Sequence, residues 1–327
     1  MHSEQGNVKI FAGKTGQSFA KKMCNYLGTE LGNSEVIHFS DGNIFVRIKE
    51  TVRNSDVYLV QPIGMDPNNE LVEILFWIDA FKRASASSIT VIVPYFGYAK
   101  GDKKDEPRVS IRARVCADCI EVVGADRFIT MDLHAPQIQG FFRIPSDHLY
   151  SLPLLCESVK KYVDVKNLVV VSPDAGFAKT ARKYADYLGT PVAIGDKTRV
   201  AHDEKAKILE LIGDVTDKDC LIVDDFSISG GTLIDIAKVL KTKGAKRIFA
   251  CLGHNILRNR RQAHRGKPDR DGHQHGHGGK PLYGGQPQDG HGIGCAAVCG
   301  GGSAYPQPRF GQPLVCQSPG KGSGRKR

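Results

Sequence analysis

Between Val8 and Cys251, short apolar runs alternate with amphipathic stretches, which restricts the chain to helices packed on mostly parallel sheets. The runs at 8–12, 57–61, 89–93 and 128–131 predict strands, and helical spacing at 18–27, 70–86 and 111–123 predicts helices between them. A second series repeats the scheme, with strands at 168–171, 192–194, 221–223 and 247–251 and helices at 175–188 and 232–241. The expectation is an α/β protein of two doubly wound domains, 1–149 and 150–257, joined near Tyr150. Alternating segments 36–39 and 44–48 flank Asp41-Gly42-Asn43 as the arms of a hairpin.

Composition changes near Arg258. Residues 258–327 carry twelve Lys or Arg against three Asp, so nine of the formal +10 charge lie there and the preceding body is nearly neutral. A basic excess confined to a Gly/Pro/His-rich tail is no footprint of nucleic acid on the folded part, and no nucleic-acid partner is expected. The N-terminus lacks the basic-then-apolar layout of a signal peptide. No apolar run approaches the roughly 18 residues needed to cross a bilayer. The expectation is a cytoplasmic protein. Its nine Cys are scattered through apolar segments, as suits reduced thiols. Cys116 and Cys119 form a C-x-x-C without a second pair nearby, which favours packing over zinc.

In open α/β sheets the ligand lies beyond the carboxyl ends of the strands, so strand ends supply the candidates. The richest is Asp224-Asp225-Phe226-Ser227-Ile228-Ser229-Gly230-Gly231-Thr232, between strand 221–223 and helix 232–241. Backbone N–H groups and the positive helix end at Gly230, Gly231 and Thr232 can hold a phosphate, while Asp224 and Asp225 can accept sugar hydroxyls. Such a corner suits a phosphosugar with vicinal hydroxyls, although Gly-Gly-Thr alone is an ordinary strand-to-helix turn. Asp132-Leu133-His134 and Ser172-Pro173-Asp174 end two further strands. His134, Asp132 and Asp174 can help hold Mg²⁺ on a polyphosphate, and a lone strand-end His can equally be structural. Lys197 and Arg199 alternate on an extended segment and can face one side, as a basic edge in water also would.

The stretch 94–104 mixes aromatic and cationic residues after another strand, so its aromatics can flank a purine and its lysines neutralise phosphates. Gly13-Lys14-Thr15 imitates the end of a phosphate loop, but Val8 stands where the first glycine belongs.

Taken together, Met131-Asp-Leu-His-Ala-Pro-Gln-Ile-Gln-Gly-Phe-Phe142, residues 94–99, Ser172-Pro-Asp-Ala-Gly176 and the 224–232 loop resemble the ribose-phosphate pyrophosphokinases, or phosphoribosyl pyrophosphate synthetases, over residues 8–257. The resemblance implies two domains of phosphoribosyltransferase type. It also implies transfer of the β,γ-diphosphoryl group of MgATP to the anomeric hydroxyl of ribose 5-phosphate. By the same resemblance, Asp224 and residues 228–232 form the ribose 5-phosphate site, Lys197 and Arg199 the catalytic loop, and His134 and Asp174 the Mg²⁺ positions. ATP would meet Phe39, Asp41, Gly42 and Asn43 from a neighbouring subunit, and Lys100, Gly101, Asp102 and Lys104 from its own. The implied assembly is a homo-oligomer, a hexamer built from dimers.

The chain departs from the family pattern at Lys100-Gly101, commonly Arg-Gln, at Asn43, commonly Glu, and at Ser229, more usually Thr. Lysine keeps the charge of arginine without its planar fork, so weaker ATP binding or competition from another nucleotide is expected. Two other functions fit parts of the pattern. A phosphoribosyltransferase shares the 224–232 loop but needs no Asp132-Leu133-His134. A non-catalytic regulatory relative should lack Lys197 and Arg199, which are intact here.

Residues 258–327 hold about half of all glycines and almost no apolar periodicity, an irregular signature. Losing the expected strands and helix there would leave an apolar sheet edge, an aggregation liability. Two readings stand: a reading-frame shift near Arg258, or a genuine low-complexity tail with His273, His275 and His277 binding metal. The coding DNA decides between them. The frame-shift hypothesis expects a neighbouring frame that continues with strands and a helix, and a frame without them ends it.

Overall fold

The computed structural model describes residues 7–198, 207–227, 230–255 and 292–297. The first half contains β1 (Asn7–Ala12), α1 (Gln17–Leu27), β2 (Ser34–His38), β3 (Ile44–Ile48), β4 (Ser55–Val60), α2 (Pro67–Arg83), β5 (Ser88–Val93), α3 (Arg112–Val123), β6 (Arg127–Met131) and β7 (Ser146–Leu149). The second contains α4 (Leu152–Lys160), β8 (Leu168–Ser172), α5 (Ala178–Leu188), β9 (Val192–Thr198), β10 (Lys207–Ile212), β11 (Asp219–Ser227), α6 (Gly231–Thr242), β12 (Arg247–Asn255) and β13 (Gly292–Ala297).

A five-stranded, wholly parallel sheet has the order β1-β4-β5-β6-β7, and a six-stranded sheet has the order β10-β9-β8-β11-β12-β13. The second is parallel at its centre and antiparallel at both edges. The doubly wound α/β architecture expected from the alternation is therefore present. Both central sheets are covered on two faces, which is why their strands read as nearly continuous apolar runs. In the first sheet Phe11, Val57 and Leu59 face α2 and α3, while Ile10, Ala12 and Val60 face α1. In the second, Val170, Leu221 and Phe249 face α4 and α5, while Val171, Ile222 and Ala250 face α6. β2 and β3 stand apart as a two-stranded sheet, with β3 lying on α2.

Four elements lie beyond the expectations. β7 (Ser-Asp-His-Leu) is too polar and short to stand out, and α4 follows it directly. β10 returns antiparallel along β9. Within the glycine-rich tail, β13 pairs antiparallel with β12 from Phe249↔Ala297 to Asn255↔Gly292, so the edge expected to be bare carries a strand. Helix α2 starts three residues before the predicted 70, because Pro67 occupies the first turn, where a missing N–H costs nothing. Helix α5 starts at Ala178, after a 3₁₀ turn at Ala175–Phe177. The tail histidines lie outside the described residues. Among the described residues no helix is long and apolar enough to cross a membrane.

Cys116 is buried in the first core and burial pushes its thiol up to about 12, as a packing role requires. That core centres on Trp77, fully buried, with ring centroids 6.0 Å from Phe11 and 5.3 Å from Phe81. Phe81→Ala should cost about 3–5 kcal/mol, the usual loss for a buried aromatic. Urea unfolding followed by the fluorescence of Trp77, the single tryptophan, measures it. A loss under about 1 kcal/mol would show that this cluster is not central to the first core.

Candidate active site between the two sheets

β11 ends against the carboxyl ends of β5 and β6, so the two sheets meet along the edge where strand-end residues gather. Asp224 and Asp225 lie in β11 with their carboxylates held locally. Asp225 N–H donates to Asp224 Oδ1 at 3.0 Å, and Phe226 N–H donates to Asp225 Oδ1 at 2.9 Å. The remaining oxygen, Asp225 Oδ2, accepts from His134 Nδ1 at 2.9 Å, a bond between a loop of the first sheet and a strand of the second. The carboxylate is an obligate acceptor, so His134 Nδ1 carries the proton.

Electrostatics separate the two aspartates. Burial, then the adjacent charge of Asp225, push Asp224 up to about 8, with Asp174 adding to the effect. Burial works against Asp225 too, but the His134 hydrogen bond and the bond with Asp224 hold it below the usual carboxylate range. The hydrogen bond to Asp225 raises His134 against the effect of burial. A cation or a hydroxyl-rich ligand is what so crowded a pair of carboxylates favours.

The loop after β6 is fixed at three consecutive residues. His254 Nε2 donates to the Met131 carbonyl at 3.0 Å, Asp132 Oδ1 accepts from Ser151 N–H at 3.0 Å, and Leu133 N–H donates to His148 Nε2 at 2.9 Å. Asp132 itself has φ 46°, a left-handed conformation that costs an ordinary residue about 1–2 kcal/mol and turns the chain toward His134. Its second oxygen, Oδ2, is buried without a hydrogen-bond partner.

Around His134 and Phe226 the other candidates gather unevenly. Lys100, in the 3₁₀ turn Ala99–Gly101, holds its Nζ 4.1 Å from the Phe226 ring centroid, a cation–π contact. Gly101 is buried beneath Arg112, Asp102 accepts from Gln137 Nε2 at 3.4 Å, and Lys104 is exposed. Asp174 Oδ1 accepts from Phe177 N–H at 3.1 Å, capping a 3₁₀ turn. Gly230 has φ 73°, the left-handed conformation that glycine adopts freely, and it opens α6 ahead of Gly231 and Thr232. Phe39, Asp41, Gly42 and Asn43 form the tip of the β2–β3 hairpin, closed by Phe39 N–H to Asn43 O at 2.9 Å and Asn43 N–H to Asp41 Oδ1 at 2.9 Å. The Phe39 side chain there is exposed. Lys197 pairs with Ile208 in the β9–β10 ribbon, while Arg199, Ile228 and Ser229 lie outside the described residues.

One expectation changes. Phe96 is not open to a purine, being buried against Phe128 and Phe142, whereas Tyr95 is half-buried, lines a cleft with Lys100 and His134, and packs on Phe226 at 5.9 Å and edge-on to His254 at 4.9 Å. Burial, then Asp225, push the Tyr95 phenol up to about 12. At Gly13-Lys14-Thr15 the Lys14 N–H donates to Glu73 Oε1 at 2.8 Å, so a buried carboxylate occupies the donor that a phosphate would need. His148 and His254 were not singled out from the sequence. Position near the carboxyl end of strand 247–251 was the available signal for His254, and His148 had none.

A family profile described as the N-terminal domain of ribose phosphate pyrophosphokinase matches residues 8–124, and one described as a phosphoribosyl transferase domain matches residues 155–276. Ribose-phosphate pyrophosphokinase of Clostridium perfringens is 46% identical over 259 residues, covering 79% of this chain and 81% of its own. The chain belongs to the ribose-phosphate pyrophosphokinase family. The Chlorobaculum tepidum enzyme of the same name is 47% identical over 250 residues, 76% of this chain and 77% of its own. The crystal structure of phosphoribosylpyrophosphate synthetase from Mycobacterium smegmatis superimposes with a TM-score of 0.72 at 37% identity, covering 77% of this chain and 83% of that one.

Asp224 sets a pH dependence. Its folded pKa lies above the unfolded value of 3.8, so its protonated form stabilises the fold at low pH and that stability is lost as pH rises through about 8. The raised pKa of His134 acts in the same direction. The melting temperature of ligand-free protein should therefore fall between pH 7.0 and 8.5, and Asp224→Asn should flatten the fall. Parallel pH profiles for the two proteins in thermal scans would contradict this electrostatic picture.

Proposed function

We propose that this chain transfers the β,γ-diphosphoryl group of MgATP to the anomeric hydroxyl of ribose 5-phosphate, yielding phosphoribosyl pyrophosphate and AMP. The observation that carries the reading is the 2.9 Å bond from His134 to Asp225. It joins the nucleotide-side loops of the first sheet to the phosphosugar corner of the second, and a two-substrate transfer needs both halves in one place. A phosphoribosyltransferase would not require that junction. Relatives matched over most of the chain carry the name ribose-phosphate pyrophosphokinase, which supports the same reading.

Residues 1–149 form the ATP side in this proposal and residues 150–257 the ribose 5-phosphate side. Gly230, Gly231 and Thr232, with Ile228 and Ser229, take the 5-phosphate at the start of α6, where N–H groups and the helix dipole favour an anion. Asp224 and Asp225 accept the ribose hydroxyls. Lys100, Gly101, Asp102 and Lys104 meet the nucleotide from within the chain. Phe39, Asp41, Gly42 and Asn43 meet it from a second copy, so the active form is a homo-oligomer.

Among the described residues, no three His, Cys, Asp or Glu side chains converge on a metal position. That donor set suits Mg²⁺ arriving on ATP, since Mg²⁺ keeps water and phosphate oxygens and takes only one or two protein groups. His134 and Asp174 are its proposed protein partners, and the charge crowding that raises Asp224 favours a cation close by. When bound, Mg²⁺ offsets charge on the phosphoryl oxygens. Asp132, whose Oδ1 accepts from Ser151 N–H while its Oδ2 has no hydrogen-bond partner, is a further candidate beside them.

In the reaction the anomeric oxygen gives up its proton and attacks the β-phosphorus, and the bond to the α-phosphate oxygen breaks to release AMP. Catalysis of this kind is mostly positioning and electrostatics. Lys197 and Arg199 neutralise the charge that grows on the transferring group. Incubation with MgATP and ribose 5-phosphate should release AMP, and Lys197→Ala should lower the turnover at least about a hundredfold. A folded protein that binds the sugar but releases no AMP would point to a regulatory relative. No sugar binding, or binding unaffected by Asp224→Asn, would remove the reading altogether.

A further inference from the structure

β11 and β12 run parallel, with Phe226 directly beside His254. Both rings touch Tyr95 of the first sheet, at 5.9 and 4.9 Å between centroids. Each of the three aromatic residues leads to the site: Phe226 follows Asp225, Tyr95 leads into the turn of Lys100, and His254 holds the peptide that leads to His134. Only His254, 6% exposed, adds a directed polar bond to this apolar packing, its Nε2–H on the Met131 carbonyl.

The neighbouring residue shows how closely β12 is pressed into the seam. A Cβ at Gly253 would lie 2.8 Å from Asp132 Oδ2 and 2.9 Å from the Asp225 carbonyl. The backbone of β12 therefore touches residues on both sides of the site at once. A carbonyl can only accept, so the Nε2 tautomer of His254 is the one that bonds, and burial holds its pKa below the ordinary histidine value, keeping it neutral. The groups facing it are Tyr95, Asp132 and Asp225.

We infer that His254 is a positioning residue: its Nε2–H bond to the Met131 carbonyl ties β12 to the 131–134 loop and so sets His134 against Asp225. This role rests on the diphosphoryl-transfer reading for its kinetic consequence, but not for its structural one. His254 touches neither substrate in this scheme. A ring without a donor should keep the packing on Tyr95 and lose the directed bond, whereas a glutamine amide should supply a donor at nearly the same place.

Two full-chain variants test it, His254→Phe and His254→Gln. For His254→Phe, amide exchange of the 131–134 segment should speed up at least about tenfold, with strand 55–60 unchanged. Its kcat should fall at least about tenfold while the KM for ribose 5-phosphate stays within about twofold, because the 5-phosphate contacts proposed at the start of α6 include no residue of the 131–134 loop. His254→Gln should recover most of both. If His254→Phe leaves exchange and kcat at wild-type levels, or if His254→Gln is as impaired as His254→Phe, the inference is wrong. A KM for ribose 5-phosphate that rises as much as kcat falls also overturns it, by pointing to general damage. Should the wild type release no AMP while His254→Phe still loosens 131–134 and His254→Gln restores it, the positional role stands and the diphosphokinase reading fails.

Discussion

The bond between His134 and Asp225 organises the molecule because each partner is already committed within its own sheet. Asp225 sits in β11 and spends its other oxygen on the Phe226 amide; His134 follows a loop anchored at three successive residues. Neither side chain needs to search for the other. The ordering entropy that such a contact would otherwise cost has been met by the strands that deliver it. The same bond also separates two adjacent carboxylates in pKa, leaving one held ionised and its neighbour poised near neutrality.

Around that bond the seam is built from rings rather than from charges. Tyr95, Phe226 and His254 form a small aromatic cluster, with Lys100 above Phe226 on the solvent side. Apolar packing excludes water from one flank of the site, which strengthens the hydrogen bonds beside it. The seam itself is a feature of how this chain's own residues pack.

The architecture was largely legible because buried parallel strands declare themselves as apolar runs and their helices by spacing. β7 escaped because Ser-Asp-His-Leu lies at a sheet edge and buries little, and β10 because an antiparallel return in an otherwise parallel scheme has no signature of its own. β13 escaped for a stronger reason, since Gly-Ile-Gly-Cys-Ala-Ala offers a sheet only backbone pairing and modest side chains. Of the site, Asp224, Asp225, His134 and Asp174 were readable from the rule that ligands gather beyond strand ends. Phe96 was misread because an aromatic residue after a strand looks alike whether it faces a ligand or the core. The hydrogen bonds of His148 and His254 reach partners 15 and 123 residues away, and no local pattern encodes that.

Among the described residues the chain passes from one sheet to the other once, between Leu149 and Leu152. A single covalent crossing fixes a distance but not an angle, so the relative pose of the halves is left to non-covalent contacts. Sequence change can therefore retune the site without touching either core: a substitution in the seam tilts one sheet against the other, as adjusting a hinge pin shifts a door without altering the door or its frame.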